Sequence, residues 1–259
     1  MNQKLMHLPC LRSHFVWTTL VVVLCHVIQP VNATTLSVPD DHATLNAAMG
    51  AATDGDTILI TDSSTYNEDL VISKQILLEA SAGETPVILG TGASSSILWT
   101  DNRSLGSRIG SLDGGQIVID AGGSSDVSVL IGNGHDGPGQ VIFENLFIRN
   151  PAAGSSIIYP SAAGETIFRK IQIDGGDVCD FPIRLDLLGG GRLTFEGCQL
   201  FNAPDIGLFC GNPTGSGTVD LIDCKIETFQ RPILIQPSSG AFTFNVERSW
   251  IRNLDADQS

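Results

Sequence analysis

The chain has 259 residues, with 14 Lys plus Arg against 28 Asp plus Glu, a formal charge of −14. This acidity argues against a nucleic-acid partner, whose phosphates require Lys and Arg; it fits Ca²⁺, neutral or cationic partners, and plain solubility. With 28 glycines and β-branched runs set between Gly, Ser and Asp turns, the composition indicates an all-β protein.

Residues 1–33 read as an export signal: Lys4 and Arg12 supply a basic region, residues 16–28 an apolar run, and Val31-Asn32-Ala33 a small-residue cleavage pattern. That run is too short to span a bilayer comfortably, so no stable membrane span is expected after cleavage, and a secreted or cell-surface location follows. Removing residues 1–33 takes away two positive charges and leaves −16. It also leaves four cysteines, Cys179, Cys198, Cys210 and Cys224, with no zinc-ligand spacing among them. Cys198 and Cys224 sit at the same repeat position, close enough for a disulfide and equally suited to a buried ladder of thiols.

Residues 34–56 are predicted to form an N-terminal cap. After the turn at Pro39-Asp40-Asp41, Leu45, Ala48, Met49 and Ala52 make one apolar stripe of a short helix, which Asp54-Gly55-Asp56 ends. A helix there would cover the open edge of the strands that follow. Strands are expected from Thr57, in short apolar runs over 68–80 and 86–90, and again at 116–120. Residues 93–114 look irregular and are read as a loop bulging from one turn.

From Val141 onward a repeat emerges. The segments beginning at Val141, Thr166, Leu193, Val219 and Phe244 share one template. Their anchors Phe143, Phe168, Phe195, Leu221 and Val246 recur at a nearly constant interval. A fixed period of that size, in the range of roughly 20–50 residues, indicates a solenoid whose turns bury their apolar faces on one another. Residues 57–259 are therefore read as a parallel β-helix of about eight turns.

A second inward ladder is Ile148, Ile173, Leu200, Ile226 and Ile251. On a further strand Ile157/Tyr159, Ile183/Leu185/Leu187, Leu208/Cys210 and Ile233/Ile235 are placed inside. Leu146, Ile171, Cys198, Cys224 and Ser249 also face inward, so the chain must bend just before them. Asn145, Gly197 and Asp223 suit a left-handed bend, Lys170 and Arg248 less so. No amphipathic lid follows Ile251. An exposed last turn is predicted, which would mean a truncated parent, a missing partner or end-to-end self-association.

These features resemble the right-handed parallel β-helix, or pectin-lyase-like, superfamily. The resemblance rests on Val38-Pro-Asp-Asp-His-Ala-Thr-Leu-Asn-Ala-Ala, Asp54-Gly-Asp-Thr-Ile-Leu-Ile60, Thr65-Tyr-Asn-Glu68, Val71-Ile-Ser-Lys74 and the turn from Phe143 to Asn150, and spans most of 36–255. It implies an all-β, right-handed solenoid with a short N-terminal capping helix. Members include pectin and pectate lyases, polygalacturonases, pectin methylesterases, phage tailspikes and adhesins, so fold is implied more sharply than activity. Tyr66 and Glu68 resemble a scaffold motif of the esterases, with Ser64 where Gly is usual. Asp180-Phe181 is not continued as the esterase catalytic strand, and the polygalacturonase and lyase motifs are absent from the sequence.

Chemistry is most concentrated in Asp174-Gly-Gly-Asp177-Val-Cys-Asp180-Phe-Pro-Ile-Arg184-Leu-Asp186. Alternation points Arg184 and Asp186 outward, with Phe209 beside Arg184 on the following turn. Asp180, Arg184 and Asp186 are the candidate catalytic residues, the carboxylates as base and Arg184 stabilising developing carboxylate charge. Asp174, Asp177 and Phe209 are candidate binding residues, and the carboxylates could hold Ca²⁺. The same charges also fit structural ladders: Arg149 over Asp174, Glu227 over Arg252, and Glu144, Arg169 and Glu196 in one column. His135-Asp136 lies in a Gly-rich loop and reads as a turn. The expected function is an exported β-helix that binds a polysaccharide or cell-surface glycan or builds a surface structure. The alternative is a polysaccharide lyase or carbohydrate esterase acting on acidic polysaccharide.

Overall fold

The structure, a computed structural model, describes residues 33–92, 96–100, 102–123, 127–131, 140–160, 164–185, 191–211, 217–228, 230–236 and 242–254. All fall within one compact unit, Ala33–Ser259; the export-signal reading of 1–33 lies, except for Ala33, outside them. Among the described residues no helix is long and apolar enough to cross a membrane.

β1 (Thr35–Val38) and the helix α1 (Leu45–Ala51) come first. The next coils are β2 (Thr57–Ile60), β3 (Thr65–Asn67) and β4 (Leu70–Ile72), then β5 (Leu77–Ala80), β6 (Val87–Leu89) and β7 (Ser96–Thr100), then β8 (Arg108–Ile109), β9 (Ile117–Asp120) and β10 (Val127–Ile131). The repeat region supplies β11 (Gln140–Glu144), β12 (Leu146–Arg149) and β13 (Ser156–Pro160), followed by β14 (Glu165–Arg169), β15 (Gln172–Asp174) and β16 (Ile183–Leu185). Last come β17 (Arg192–Glu196), β18 (Gln199–Ala203) and β19 (Ile206–Gly211), β20 (Gly217–Ile222), β21 (Lys225–Thr228) and β22 (Arg231–Gln236), and a final pair, β23 (Phe242–Glu247) and β24 (Trp250–Asn253).

Each strand stacks in parallel on its counterpart one coil away, giving sheets of nine, eight and seven strands. The first sheet runs from β1 to β23, the second from β3 to β24 and the third from β4 to β22. The protein is thus an all-β parallel β-helix, with seven complete three-strand coils among the described residues. The estimate of eight is corrected because the early coils are uneven. Leu77, Arg108 and Ile142 are register partners, yet they lie farther apart along the chain than Phe143, Phe168 and Phe195 do. A uniform division by the later period therefore overcounts.

Residues 93–114 are corrected too. Rather than a bulge, this stretch holds β7 of the third sheet, a short 3₁₀ turn at Asn102–Ser104 and β8 of the first sheet. On the third sheet the inward column is Ile158, Ile183, Leu208 and Ile233, not Ile157. Tyr159 takes the neighbouring register position, paired with Leu130. A one-residue slip moves every side chain of a strand to the other face, and here the pattern misleads because Ile157 and Ile158 are both buried.

The core is a set of in-register ladders. Phe143, Phe168 and Phe195 stack with centroids 5.1 and 4.7 Å apart and planes within 14° and 10° of parallel. The chain then turns out of the first sheet through residues with positive φ: Asn145 (53°), Lys170 (51°), Gly197 (63°), Asp223 (53°) and Arg248 (48°). Lys170 and Arg248 adopt the same corner despite a cost of about 1–2 kcal/mol for an L-residue in that region. The stack dictates it, because each corner N–H donates to a carbonyl of the next coil, as Lys170 does to Glu196 at 2.8 Å. At Arg248 the guanidinium instead grips Asp223 through two bonds of 2.8 Å.

Just past this corner, Cys198 and Cys224 are free thiols, like Cys179 and Cys210, and all four are buried. Their Sγ atoms donate to the carbonyls of Phe168 and Phe195. Burial, reinforced by Cys224, pushes the Cys198 thiol well up.

At the N-terminal end α1 packs against β1, β2 and β4, burying Leu45, Ala48, Met49 and the adjoining Ala52. Both helix ends are held by charges matched to its dipole. The Glu68 carboxylate accepts from the N–H groups of Leu45 and Asn46 at 3.0 and 2.8 Å, and Thr44 Oγ1 caps Ala47 N–H. Lys74 Nζ donates to the carbonyls of Met49, Gly50 and Ala52 at 2.9, 3.2 and 2.6 Å. Glu68 is thus a scaffold group. Tyr66, which donates its hydroxyl to Asp62, is another.

Truncating the middle of the aromatic stack, Phe168→Ala, should cost about 3–5 kcal/mol of unfolding free energy in urea. Glu68→Ala should cost about 1 kcal/mol, the value of a lost helix cap.

Candidate functional site

The residues singled out between Asp174 and Asp186 divide between two places. Asp174 and Asp177 belong to the corner between the second and third sheets, whereas Arg184 and Phe209 belong to the outer face of the third sheet. Asp180 is exposed between them, and Asp186 lies outside the described residues, as do Leu187, His135 and Asp136.

The corner repeats one device. Asp120, at the end of β9, is buried and accepts from Arg149 Nε at 2.8 Å, from Asn150 Nδ2 at 3.0 Å to each oxygen, and from Gly122 N–H at 2.9 Å. Asp174, at the end of β15, accepts from Gly176 N–H and from Asn202 Nδ2, both at 2.9 Å. Asn150 and Asn202 both have positive φ, 53° and 54°, and each ties its coil to the carboxylate of an earlier one. Asp177 also has positive φ (58°), and its N–H donates to Asn202 O at 2.9 Å. The carboxylate of Asp174 and the backbone of Asp177 are thus used to turn the chain. The Arg149 ion pair is formed with Asp120, one coil earlier, and this corrects the expected pairing with Asp174.

An open groove of about 380 Å³ runs along this corner, lined by Gly122, Gly123, Asn150, Pro151, Gly176 and Val178. Among the described residues no group of three or more His, Cys, Asp or Glu is arranged to hold a metal ion. Beneath the corner Cys179 donates to Ser155 O at 3.0 Å, and burial pushes its thiol up to about 12.

On the third sheet Ile183 and Leu185 are buried and Arg184 between them faces outward, half-buried, as alternation requires. Arg184 and Phe209 are register partners. Phe181, just before β16, packs on Phe209 with centroids 4.9 Å apart and planes tilted by 36°. Register continues from these two positions in both directions along the sheet. Val71 pairs with Trp99, Trp99 with Leu130 and Leu130 with Tyr159, and Phe209 pairs with Leu234. Pairing of Ile158 with Ile183 puts Tyr159 at the register position beside Arg184. The sequence places Arg184 outward with Phe209 beside it, as the register has them; it misses the packing of Phe181 on Phe209 and the continuation of the column to Tyr159, because the inward ladder is set one residue early at Ile157 alone. The equal intervals between Tyr159, Arg184, Phe209 and Leu234 were the signal that could have revealed the column.

Elsewhere outward charges form columns. Arg169 bridges Glu144 and Glu196, both at 3.1 Å, as the repeat template requires. Arg192 pairs with Asp220 at 2.7 Å, which also accepts from Asn245. Glu227 pairs with Lys225 within its own strand at 2.6 Å, and it is also the register partner of Arg252.

No known protein family, no curated protein and no solved structure matches the chain.

Burial raises the carboxyl pKa of Asp120, but the bonds from Asn150, Gly122 and Arg149 outweigh it and hold the group below the usual carboxylate range. Its stabilisation is therefore complete above the unfolded value of about 3.9 and is lost as pH falls through the lower folded value. Asp120→Asn should lower stability at pH 7 and show a smaller further loss on acidification toward pH 2 than the parent, read from urea midpoints across that range.

Proposed function

We propose that this protein is an exported, surface-acting β-helix of the pectin-lyase-like kind that binds glycans on the outer face of its third sheet. The observation that carries this reading is the outward column containing Arg184 and Phe209, with Phe181 packed on Phe209. Its seven register positions, Val71 to Leu234, span about 30 Å at the spacing of parallel strands. Flat apolar side chains beside a guanidinium suit a sugar ring, which offers an apolar face and a polar rim. The N-terminal export signal supports a secreted or cell-surface location, and the Tyr66–Glu68 motif and left-handed corners support the superfamily.

Charge selects among glycans. At −16 once residues 1–33 are removed the protein repels polyanions at low salt, so a neutral or esterified chain is the favoured ligand and Ca²⁺ would be needed to bridge an acidic one. A catalytic role in cleaving acidic polysaccharide is the alternative, resting on Asp180, Arg184 and Asp186.

Titration calorimetry with methylated pectin and with polygalacturonate, each with and without Ca²⁺, tests the reading. Methylated pectin should bind more tightly than polygalacturonate in the absence of Ca²⁺. Phe209→Ala should weaken binding by about tenfold, the loss of one aromatic contact of roughly 1.4 kcal/mol. Absence of binding to either polymer overturns the proposal. Release of unsaturated uronates or of methanol establishes the enzyme instead.

A further inference from the structure

Two of the buried cysteines stand one above the other. Gln199 is the register partner of Lys225, and Lys225 N–H donates to Cys198 O at 2.8 Å. Cys198 and Cys224, just before those strands, therefore occupy the same place on successive coils. Stacked strands lie about 4.8 Å apart, inside the Cα separation of roughly 4.4–6.8 Å that a disulfide spans. The two side chains also point the same way. Cys198 Sγ donates to Phe168 O at 3.4 Å and Cys224 Sγ to Phe195 O at 3.3 Å, and Phe168 and Phe195 are themselves register partners. The other thiols are placed differently: Cys179 donates to Ser155 O, and Cys210 is stacked between Leu185 and Ile235.

We propose that Cys198 and Cys224 are a redox modification site, which a small-molecule disulfide, R–S–S–R, converts into a cross-link between successive coils. The Cys224 thiolate attacks one sulfur of the reagent, breaks its S–S bond and releases R–S⁻. Cys198 then loses its proton and attacks the Cys224 sulfur, releasing the second R–S⁻. The two cysteines are oxidised, the reagent is reduced to two R–SH, and the two cysteine protons end on them. The order of attack follows from the pair itself. A hydrogen bond from Cys198 holds the Cys224 thiol below its ordinary value, whereas burial, with Cys224 beside it, pushes the Cys198 thiol up; the thiolate is the nucleophile. Closure draws the coils together, because a disulfide holds its Cβ atoms about 3.8 Å apart, closer than the stack. The corner has room for this. Gly197, before Cys198, has only Lys170 Cγ within reach of where a Cβ would stand, at 3.7 Å, and Asp223, before Cys224, is exposed. Both thiols are buried, so the reagent meets them when this corner opens locally. An exported chain would meet such disulfides outside the cell, but the geometry of the pair does not rest on export.

Oxidised glutathione added to the purified, reduced full chain tests this. Peptide mapping should show a linkage of Cys198 to Cys224 with Cys179 and Cys210 still reduced, and dithiothreitol should reverse it. The reaction should quicken in urea below the unfolding midpoint, and the midpoint of the cross-linked form should lie higher than that of the reduced form. Cys224→Ser supplies a variant that the ladder accepts, since Ser249 holds the same place in the next coil and its Oγ reaches Leu221 O at 3.3 Å. In that variant Cys198 should react with glutathione at least about tenfold more slowly than Cys224 does in the parent, because its thiol stays protonated. Retention of both thiols at every urea concentration short of unfolding, a linkage of either to Cys179 or Cys210, or a Cys198 that reacts in the variant as fast as Cys224 does in the parent overturns the proposal. None of these outcomes depends on glycan binding.

Discussion

In-register stacking governs this molecule. Each coil keeps its apolar side chains dry because the next coil lays the same positions on top of them, about 4.8 Å away. Phe143, Phe168 and Phe195 stack nearly face to face because the register leaves them nowhere else to go. The same register carries Lys170 and Arg248 into left-handed corners that glycine or asparagine would occupy at less cost. It also sets burial, since Leu221 and Ile226, covered by a following strand, are buried and their register partners Val246 and Ile251 are more exposed.

What stacking does for apolar residues inside, it does for charges outside. Glu144, Arg169 and Glu196 form one column, Asp120 collects Arg149 and Asn150, and Asp220 collects Arg192 and Asn245. Partly exposed pairs of this kind contribute modestly to stability, but they align neighbouring coils and penalise a slipped register. They also account for much of the density of carboxylates along the coils. Asp174 shows this best, because its oxygen closes the turn at Gly176 and receives Asn202 from the next coil.

Much of the scaffold was legible. Phe143, Phe168 and Phe195 are large, evenly spaced and unmistakably apolar, and the stripe Leu45, Ala48, Met49, Ala52 identifies a helix by its own period. Early coils were harder, because the partners Leu77, Arg108 and Ile142 are separated by longer stretches of chain, and a template tuned to the later coils misses them. Ile157 and Ile158 were ambiguous for another reason. Two adjacent buried isoleucines give no alternation, and the choice between them decides which register position Tyr159 takes.

A parallel β-helix preceded by a short helix is already written in the order of the residues, because periodicity and apolar patterning are local properties repeated often enough along the chain to be read directly. Tertiary structure alone decided what lies outside that ladder. It divided the run from Asp174 to Arg184 into a turn-forming part and a face-forming part, and brought Phe181 onto Phe209. It also exposed a core-like surface at the last coil. Outward contacts join residues a full coil apart through the register of neighbouring strands, and a one-residue change in that register, invisible in composition, reassigns every one of them.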